Sequence, residues 1–139
     1  QFPTGSFLSV EGSPFDFREM KKIGDGIHCD NAQLKLGGTY DHNFVINGDG
    51  LREAAVLQSK ESGIRLTCFT DQPGVQLYVP CYTLHQKGID GKDYPPYSAV
   101  CLETQNYPNA INIEHFPSVV LKAGENFRSK TLYHFSVMG

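Results

Sequence analysis

Apolar side chains that recur at every second position are the feature of this sequence that most restricts its fold. The clearest examples are the segments 63–70, 75–79 and 131–137, in which alternate residues form an apolar face. Successive side chains of a β-strand point to opposite faces of its sheet, so this period predicts half-buried strands. Similar patterns predict further strands at 7–10, 43–47, 52–58, 98–105 and 119–122. No segment has the period of an amphipathic helix, and residues 51–60, which come nearest, fit a strand better.

Turn-forming residues separate the predicted strands. The turn signals are Asn47-Gly-Asp-Gly, Lys60-Glu-Ser-Gly, Asp71-Gln-Pro-Gly and Lys122-Ala-Gly, and residues 86–96 predict a long exposed loop. The 139 residues are 40% hydrophobic and 19% charged, which suits one domain with a substantial core. The sequence therefore predicts a single all-β unit over residues 1–139, with an antiparallel sandwich as the expected architecture.

The charge and apolar patterns exclude several kinds of partner. The net charge is −3 and the longest basic run is Lys21-Lys22, so neither nucleic acid nor an anionic membrane is expected to bind. No apolar run has the length of a membrane span, and we expect no signal peptide.

The cysteines and histidines predict neither a metal site nor a disulfide framework. The four cysteines are widely spaced and lack the CxxC pattern: Cys29, Cys68, Cys81 and Cys101. The histidines without carboxylate or cysteine partners at metal-ligand spacing are His28, His85, His115 and His134. We expect no metal and no cofactor, and buried thiols of this kind predict a cytoplasmic protein.

One carboxylate lies on the polar face of a predicted strand. Alternation from Ser98 onward places Val100 and Leu102 on one face and Glu103 on the other, together with Gln105. A carboxylate flanked by apolar residues is costly to place unless it has partners or a chemical role. A surface ion pair or a structural carboxylate is the alternative to catalysis.

Two other segments carry groups that can bind sugar hydroxyls. Asp41, His42 and the amide that follows them begin a strand, although adjacent side chains of a regular strand point in opposite directions. The alternative is a turn in which His42 is structural. Further along, Gln76 and Tyr78 share a strand face, which suits either sugar binding or ordinary sheet packing.

Six segments in order resemble the C-terminal part of the aldose 1-epimerases, also called galactose mutarotases. They are Pro3-Thr-Gly, Gly12-Ser-Pro-Phe-Asp-Phe-Arg-Glu, Tyr40-Asp-His-Asn-Phe-Val, Gln72-Pro-Gly-Val-Gln-Leu-Tyr, Cys101-Leu-Glu-Thr-Gln-Asn-Tyr-Pro-Asn-Ala and Phe116-Pro-Ser-Val-Val-Leu-Lys-Ala-Gly-Glu. The resemblance implies a large antiparallel β-sandwich, the galactose mutarotase-like supersandwich. It also implies an isomerase that interconverts the α and β anomers of free hexoses such as galactose and glucose.

The resemblance also implies roles for three residues. Glu103 matches the general base of the family, Asp41 matches the residue that holds sugar hydroxyls, and Gln76 matches a further contact with the sugar. It does not make His42 the catalytic acid. No metal or nucleotide is implied.

Departures from the family pattern qualify these roles. The Asn-His-x-Tyr-Phe-Asn-Leu motif that carries the acid is absent, and family members are more than twice this length. We therefore expect an N-terminal portion of the same enzyme, either as a separate chain or as a segment missing before Gln1. Tyr78 is followed by Val79-Pro-Cys-Tyr rather than Thr-Gly-Asn-Phe, and Pro80 predicts the end of that strand. A non-catalytic carbohydrate-binding module is the alternative function, whereas a sugar-phosphate epimerase would need a basic cluster that this sequence lacks.

Overall fold

The computed structural model describes residues 2–82 and 87–139 and shows a chain built mainly from β-strands. Its elements are α1 (Ile23–Gly26), α2 (Ala32–Gly37), β1 (Asp41–Val45), β2 (Arg52–Gln58), β3 (Ile64–Thr70), β4 (Gly74–Tyr78), β5 (Cys101–Gln105), a 3₁₀ turn (Ala110–Asn112) and β6 (Thr131–Val137). The strands form two three-stranded sheets, ordered β1-β4-β5 and β2-β3-β6. The all-β prediction is confirmed. His85 and the first residue of the predicted loop 86–96 lie outside the described residues.

The chain divides into two compact units. The first contains Pro3–His42 and Leu77–Cys101, and the second contains Asn43–Gln76 and Leu102–Gly139. The expectation of one unit over residues 1–139 stays a prediction.

The first unit is organised around the buried ring of Tyr40. The Tyr40 hydroxyl donates a hydrogen bond to the Pro14 carbonyl at 2.9 Å. The ring lies edge-on to Phe15 and Phe17, with centroid distances of 5.5 Å and 5.4 Å. Gly26 leaves room for the Tyr40 hydroxyl, because a Cβ at residue 26 would overlap it. These contacts tie the N-terminal segment to the residue that precedes β1.

The helix α2 was not predicted from the sequence. It begins after Asn31, whose side chain accepts a hydrogen bond from the Gln33 N–H at 2.9 Å, and it ends at Gly38, where φ is +71°. An Asn N-cap and a left-handed glycine at the C-terminus are common helix boundaries. The helix has only six residues, too few to establish a period, and Leu34 is its one buried side chain.

The second unit contains the antiparallel sheet β2-β3-β6. The register pairs Ile64 with Val137 and Thr70 with Thr131, so alternate residues of β3 and β6 share one face. At one end of that face Cys68 and Thr70 are completely buried, whereas at the other end Val137 is 82% exposed. The strands predicted at 52–58, 63–70 and 131–137 are confirmed.

The strands predicted at 7–10 and 119–122 are wrong. Local bonds satisfy the backbone there instead: the Val10 carbonyl accepts from both the N–H and the hydroxyl of Ser13. At the second segment the Val120 N–H donates to the Ser118 hydroxyl, and Lys122 begins a turn. Apolar composition predicts a strand only where a neighbouring strand is available for pairing.

Arg52 joins the turn that follows β1 to the start of β2 and the end of β3. Two glycines at positive φ, Gly48 at +79° and Gly50 at +65°, allow this turn. The Arg52 guanidinium donates hydrogen bonds of 3.0–3.1 Å to the carbonyls of Ile46, Asn47, Gly50 and Thr70. A single side chain thus satisfies four backbone acceptors, three of them in or beside the turn and one at the end of β3.

Candidate functional site

Three amide side chains from three strands of one sheet bond to one another. Gln105 Nε2 on β5 donates to Gln76 Oε1 on β4 and to Asn43 Oδ1 on β1, each at 3.1 Å. We call Asn43, Gln76 and Gln105 the amide cluster. Because its oxygen faces Gln105, the Nε2 end of Gln76 is turned away from that residue. The cluster therefore sets the orientation of the Gln76 amide.

A glycine makes this arrangement possible. A Cβ at Gly74 would lie 2.9 Å from Asn43 Nδ2 and 3.0 Å from Asn43 Cγ, so a larger residue would displace the Asn43 side chain. Gly74 is buried at the start of β4. Asn43 can consequently lie across that strand and reach Gln105.

Glu103 lies on the same face of β5 as Gln105, two residues away. The opposite face of β5 is identified by Thr104, whose Oγ1 lies 2.6 Å from Thr131 Oγ1 on β6. Since neighbouring side chains alternate, Glu103 points away from the β2-β3-β6 sheet and toward the side that holds the amide cluster. Its side chain is exposed to solvent. A carboxylate in this position is accessible to a ligand.

Asp41 belongs to the first compact unit, whereas Gln76 and Glu103 belong to the second. Asp41 is the first residue of β1 and is partly buried. Its backbone N–H donates to His42 Nδ1 at 3.0 Å, so the neighbouring imidazole stabilises this end of the strand.

His42 is a structural histidine with a defined tautomer. Its Nδ1 accepts the Asp41 N–H, so the proton is on Nε2, which lies 3.2 Å from the Gln33 carbonyl and donates to it. The ring packs edge-on against Phe15 with a centroid distance of 4.7 Å. Burial lowers the pKa of His42 below its ordinary value of 6.5, while the Gln33 carbonyl and the Asp41 charge oppose this shift. The structural alternative raised by the sequence describes this residue correctly.

Tyr78 lies near the charge of Asp41 within the first unit. Its hydroxyl donates to the Tyr82 hydroxyl at 2.7 Å. This bond is the main reason that the pKa of Tyr78 rises to about 12, and the negative charge of Asp41 adds to the effect. The strand β4 ends at Tyr78, as the proline at residue 80 predicts, although the Val79 N–H still bonds to the Tyr40 carbonyl.

The described part of the chain offers neither a cluster of metal ligands nor a helix suited to crossing a membrane. In residues 2–82 and 87–139, no three His, Cys, Asp or Glu side chains are close enough to share a metal ion. None of the helices in those ranges combines the length and the apolar character that a membrane span requires. The four cysteines are free thiols, and the one that is fully buried is Cys68.

Sequence reasoning identified Gln76 and Glu103 but assigned no role to Gln105, which links the two strands that carry them. The alternation that places Gln105 beside Glu103 was a usable signal. The contact of Gln105 with Asn43 was not predictable, because it depends on the strand order of the sheet.

Known proteins resemble this chain over nearly its whole length. The sequence profile of the family described as aldose 1-epimerase matches residues 1–134. The chain is 40% identical to a galactose mutarotase from Bos taurus and 39% identical to one from Homo sapiens, each over 97% of this chain and 39% of the relative. It is 31% identical to an aldose 1-epimerase from Escherichia coli (strain K12), over 96% of this chain and 39% of that protein.

Two solved structures have the same fold. The crystal structure of a GalM/aldose epimerase homologue from C. elegans gives a TM-score of 0.83 at 30% identity, covering 99% of this chain and 41% of that one. A galactose 1-epimerase from Lactobacillus acidophilus NCFM gives a TM-score of 0.68 at 27% identity, covering 99% and 39%.

The chain belongs to the aldose 1-epimerase family. This confirms the resemblance drawn from the six segments and the predicted all-β sandwich of the galactose mutarotase-like kind. The chain spans about two fifths of the length of the relatives that it matches.

Proposed function

We propose that this chain supplies the base and part of the sugar-binding surface of an aldose 1-epimerase that interconverts the α and β anomers of free hexoses such as galactose and glucose. One observation carries the proposal. Glu103 shares a face of β5 with Gln105, whose amide holds Gln76 at 3.1 Å. A carboxylate and an oriented amide on one sheet face can take a proton from a sugar and hold its hydroxyls. The names of the relatives support this reaction class.

In the proposed mechanism Glu103 acts as the general base. The Glu103 carboxylate accepts the proton of the C1 hydroxyl while an acid protonates the ring oxygen, so that the C1–O5 bond breaks and an aldehyde forms. Rotation about the C1–C2 bond presents the other face of the aldehyde, and the reverse proton transfers close the ring. Positioned acids and bases typically contribute about 10²–10⁴-fold in such steps.

Asp41 and Gln76 are proposed to hold hydroxyl groups of the sugar. A carboxylate accepts hydrogen bonds from hydroxyls, and the Nε2 group of Gln76 can donate to them. The amide cluster restricts the rotation of Gln76, so less side-chain entropy is lost when a sugar binds.

The acid is proposed to come from the N-terminal portion of the same enzyme, here called the companion portion, either as a separate chain or as a further segment of the same polypeptide. The family acid motif is absent from the 139 residues, and three fifths of each matched relative lies outside the match. The proposed location is the cytoplasm, which the four free thiols support, since a reducing compartment keeps cysteines in this form.

Polarimetry of freshly dissolved α-galactose tests the proposal. The chain is purified together with the portion of the bovine galactose mutarotase that it does not match. We expect faster mutarotation than in buffer, and Glu103→Gln should remove roughly 10²–10⁴-fold of that acceleration. Glu53→Gln is the matched control, because it changes an exposed carboxylate on β2. An equal loss in both variants, or none in Glu103→Gln, contradicts the role of Glu103.

The second candidate is a non-catalytic carbohydrate-binding module, favoured by the presence of Asp41 and Gln76 without the acid motif. Calorimetric titration with galactose distinguishes the two. Binding that is weakened by Gln76→Ala, with no acceleration of mutarotation in any preparation, supports the module.

A further inference from the structure

Tyr82 stands where the family pattern has a phenylalanine, so this chain carries a phenolic hydroxyl that the pattern lacks. The Tyr82 hydroxyl accepts a hydrogen bond from the Tyr78 hydroxyl at 2.7 Å. Tyr82 is 56% exposed, whereas Tyr78 is partly buried on β4. A phenolic hydroxyl has one proton to donate and can also accept. Because the bond between the two rings uses the proton of Tyr78, the proton of Tyr82 is available to a ligand.

The strands β1 and β4 are antiparallel neighbours. The Val79 N–H donates to the Tyr40 carbonyl at 2.9 Å. The Ile46 N–H donates to the Pro73 carbonyl at 3.0 Å, so residue numbers rise along one strand as they fall along the other. In an antiparallel ladder, residues joined by such bonds lie directly opposite each other. The next residues along the two strands also face each other, without a bond and with their side chains closer together.

This register places Asp41 directly opposite Tyr78, next to the bonded pair Tyr40 and Val79. Opposite side chains lie on the same face of the sheet, with their Cβ atoms about 5 Å apart. The hydrogen bond to Tyr82 is the main reason that the pKa of Tyr78 rises to about 12, and the charge of Asp41 adds to the effect. The Tyr78 hydroxyl therefore keeps its proton near neutral pH and remains a donor to Tyr82.

Local contacts hold the segment that carries Tyr82. The Tyr97 N–H donates to the Pro80 carbonyl at 2.6 Å, and the proline ring fixes φ at residue 80. The Tyr82 side chain lines a cleft together with Pro80 and Tyr94. A hydroxyl on a restrained side chain loses less conformational entropy when it binds a ligand, which favours selective recognition.

We propose that the Tyr82 hydroxyl is a specificity-determining contact of the sugar site and donates a hydrogen bond to a hexose hydroxyl other than the one at C1. The inference rests on the proposed function, in which Asp41 holds hydroxyls of the same sugar and the C1 hydroxyl belongs to the base. Tyr78 is a positioning residue, because its proton orients the Tyr82 oxygen. An analogue that lacks the recognised hydroxyl binds more weakly, since this contact is lost.

Calorimetric titration tests the contact without measuring catalysis. The chain is prepared with the portion of bovine galactose mutarotase that it does not match. The ligands are galactose and its four monodeoxy derivatives, which lack the hydroxyl at C2, C3, C4 or C6. Tyr82→Phe, which restores the family residue, should raise the Kd for galactose roughly fivefold, the effect of one neutral hydrogen bond. For one derivative, the same substitution should change the Kd by less than about twofold.

Tyr94→Phe is the matched control, because it removes a phenolic hydroxyl from the same cleft and leaves the bonded pair intact. It should change no Kd by more than about twofold. Tyr78→Phe combined with Tyr82→Phe should weaken galactose binding no more than Tyr82→Phe alone, because Tyr78 acts through Tyr82. The proposal is overturned if Tyr82→Phe leaves galactose binding unchanged, or if it weakens galactose and all four derivatives equally.

Polarimetry of the same preparation separates this proposal from the proposed function. Galactose binding with the selective loss in Tyr82→Phe, but without faster mutarotation, refutes only the catalytic function. Faster mutarotation without the selective loss refutes only the contact of Tyr82 with the sugar. If the preparation does not bind galactose, both proposals are wrong.

Discussion

Gln105 Nε2 lies 3.1 Å from Gln76 Oε1, so the amide that is proposed to bind the sugar is held by the strand that carries the proposed base. The same nitrogen donates to Asn43 Oδ1 at 3.1 Å. A displacement of β5 relative to β4 would therefore move Glu103 and release Gln76 together. Gln105 is a positioning residue in this arrangement.

Gln105→Ala should weaken sugar binding more than it slows the chemical step. The loss of a neutral hydrogen bond of about 1 kcal/mol corresponds to roughly a fivefold rise in KM, with kcat changed less. Polarimetric kinetics of the chain with its companion portion measure both constants. Gln58→Ala, an exposed amide at the end of β2, is the control and should change neither. A fall in kcat as large as that of Glu103→Gln would contradict a positioning role.

Gly74→Ala should destabilise the second unit. The new Cβ would lie 2.9 Å from Asn43 Nδ2, and overpacking of this kind typically costs about 1–3 kcal/mol. Denaturant unfolding measures the change in the free energy of unfolding. Gly24→Ala has open space around the Cβ and should change stability by no more than about 1 kcal/mol. If the clash is the cause, Asn43→Ala combined with Gly74→Ala should recover part of the loss.

His42 should make folding stability depend on pH in the mildly acidic range. Its pKa is below 6.5 in the folded chain, so the unfolded chain binds more protons as the pH falls through 6.5. The contribution of His42 is fully present above that value and declines as the pH falls toward the folded-state pKa. Urea unfolding from about pH 7.5 to about pH 5.5 should show a smaller loss of stability in His42→Gln than in the unmodified chain. Equal slopes would contradict the assignment of a buried neutral imidazole.

Arg52→Lys should be destabilising although it conserves charge. A lysine ammonium is a compact point charge, and it lacks the fork with which Arg52 reaches the carbonyls of Ile46, Asn47, Gly50 and Thr70. Leaving these acceptors unsatisfied should lower the free energy of unfolding by about 1–3 kcal/mol. Thermal or urea unfolding measures it, with Arg65→Lys on β3 as the control, expected within about 0.5 kcal/mol. If Arg52→Lys leaves the free energy of unfolding unchanged, water replaces these bonds.

Patterns of period two correctly predicted the strands that pair within the chain. They also predicted strands in segments where the structure has none. The segment 52–58 matches β2 at both ends, and the burial of Val75, Leu77 and Val79 follows the predicted alternation. The segment 119–122 has the composition of a strand, but no strand pairs with it in residues 2–82 and 87–139, and its backbone bonds locally. Pairing depends on distant parts of the chain, so local composition could not separate these cases.

The candidate site was predictable one strand at a time. Alternation placed Glu103 and Gln76 on the polar faces of their strands, and the family resemblance supplied their expected roles. The link through Gln105 and Asn43 required the strand order β1-β4-β5, which a periodic pattern does not encode. The tautomer of His42 likewise depended on the Gln33 carbonyl, which belongs to an unpredicted helix.

Thr104 and Glu103 are neighbours in β5, and their side chains point to opposite faces of the strand. This alternation makes the site sensitive to insertions. One extra residue before Glu103 would invert the strand, turning the carboxylate inward against Thr131 and the threonine outward. The segment between the turn that precedes β5 and Gln105 should therefore tolerate an insertion or deletion of two residues better than one of a single residue.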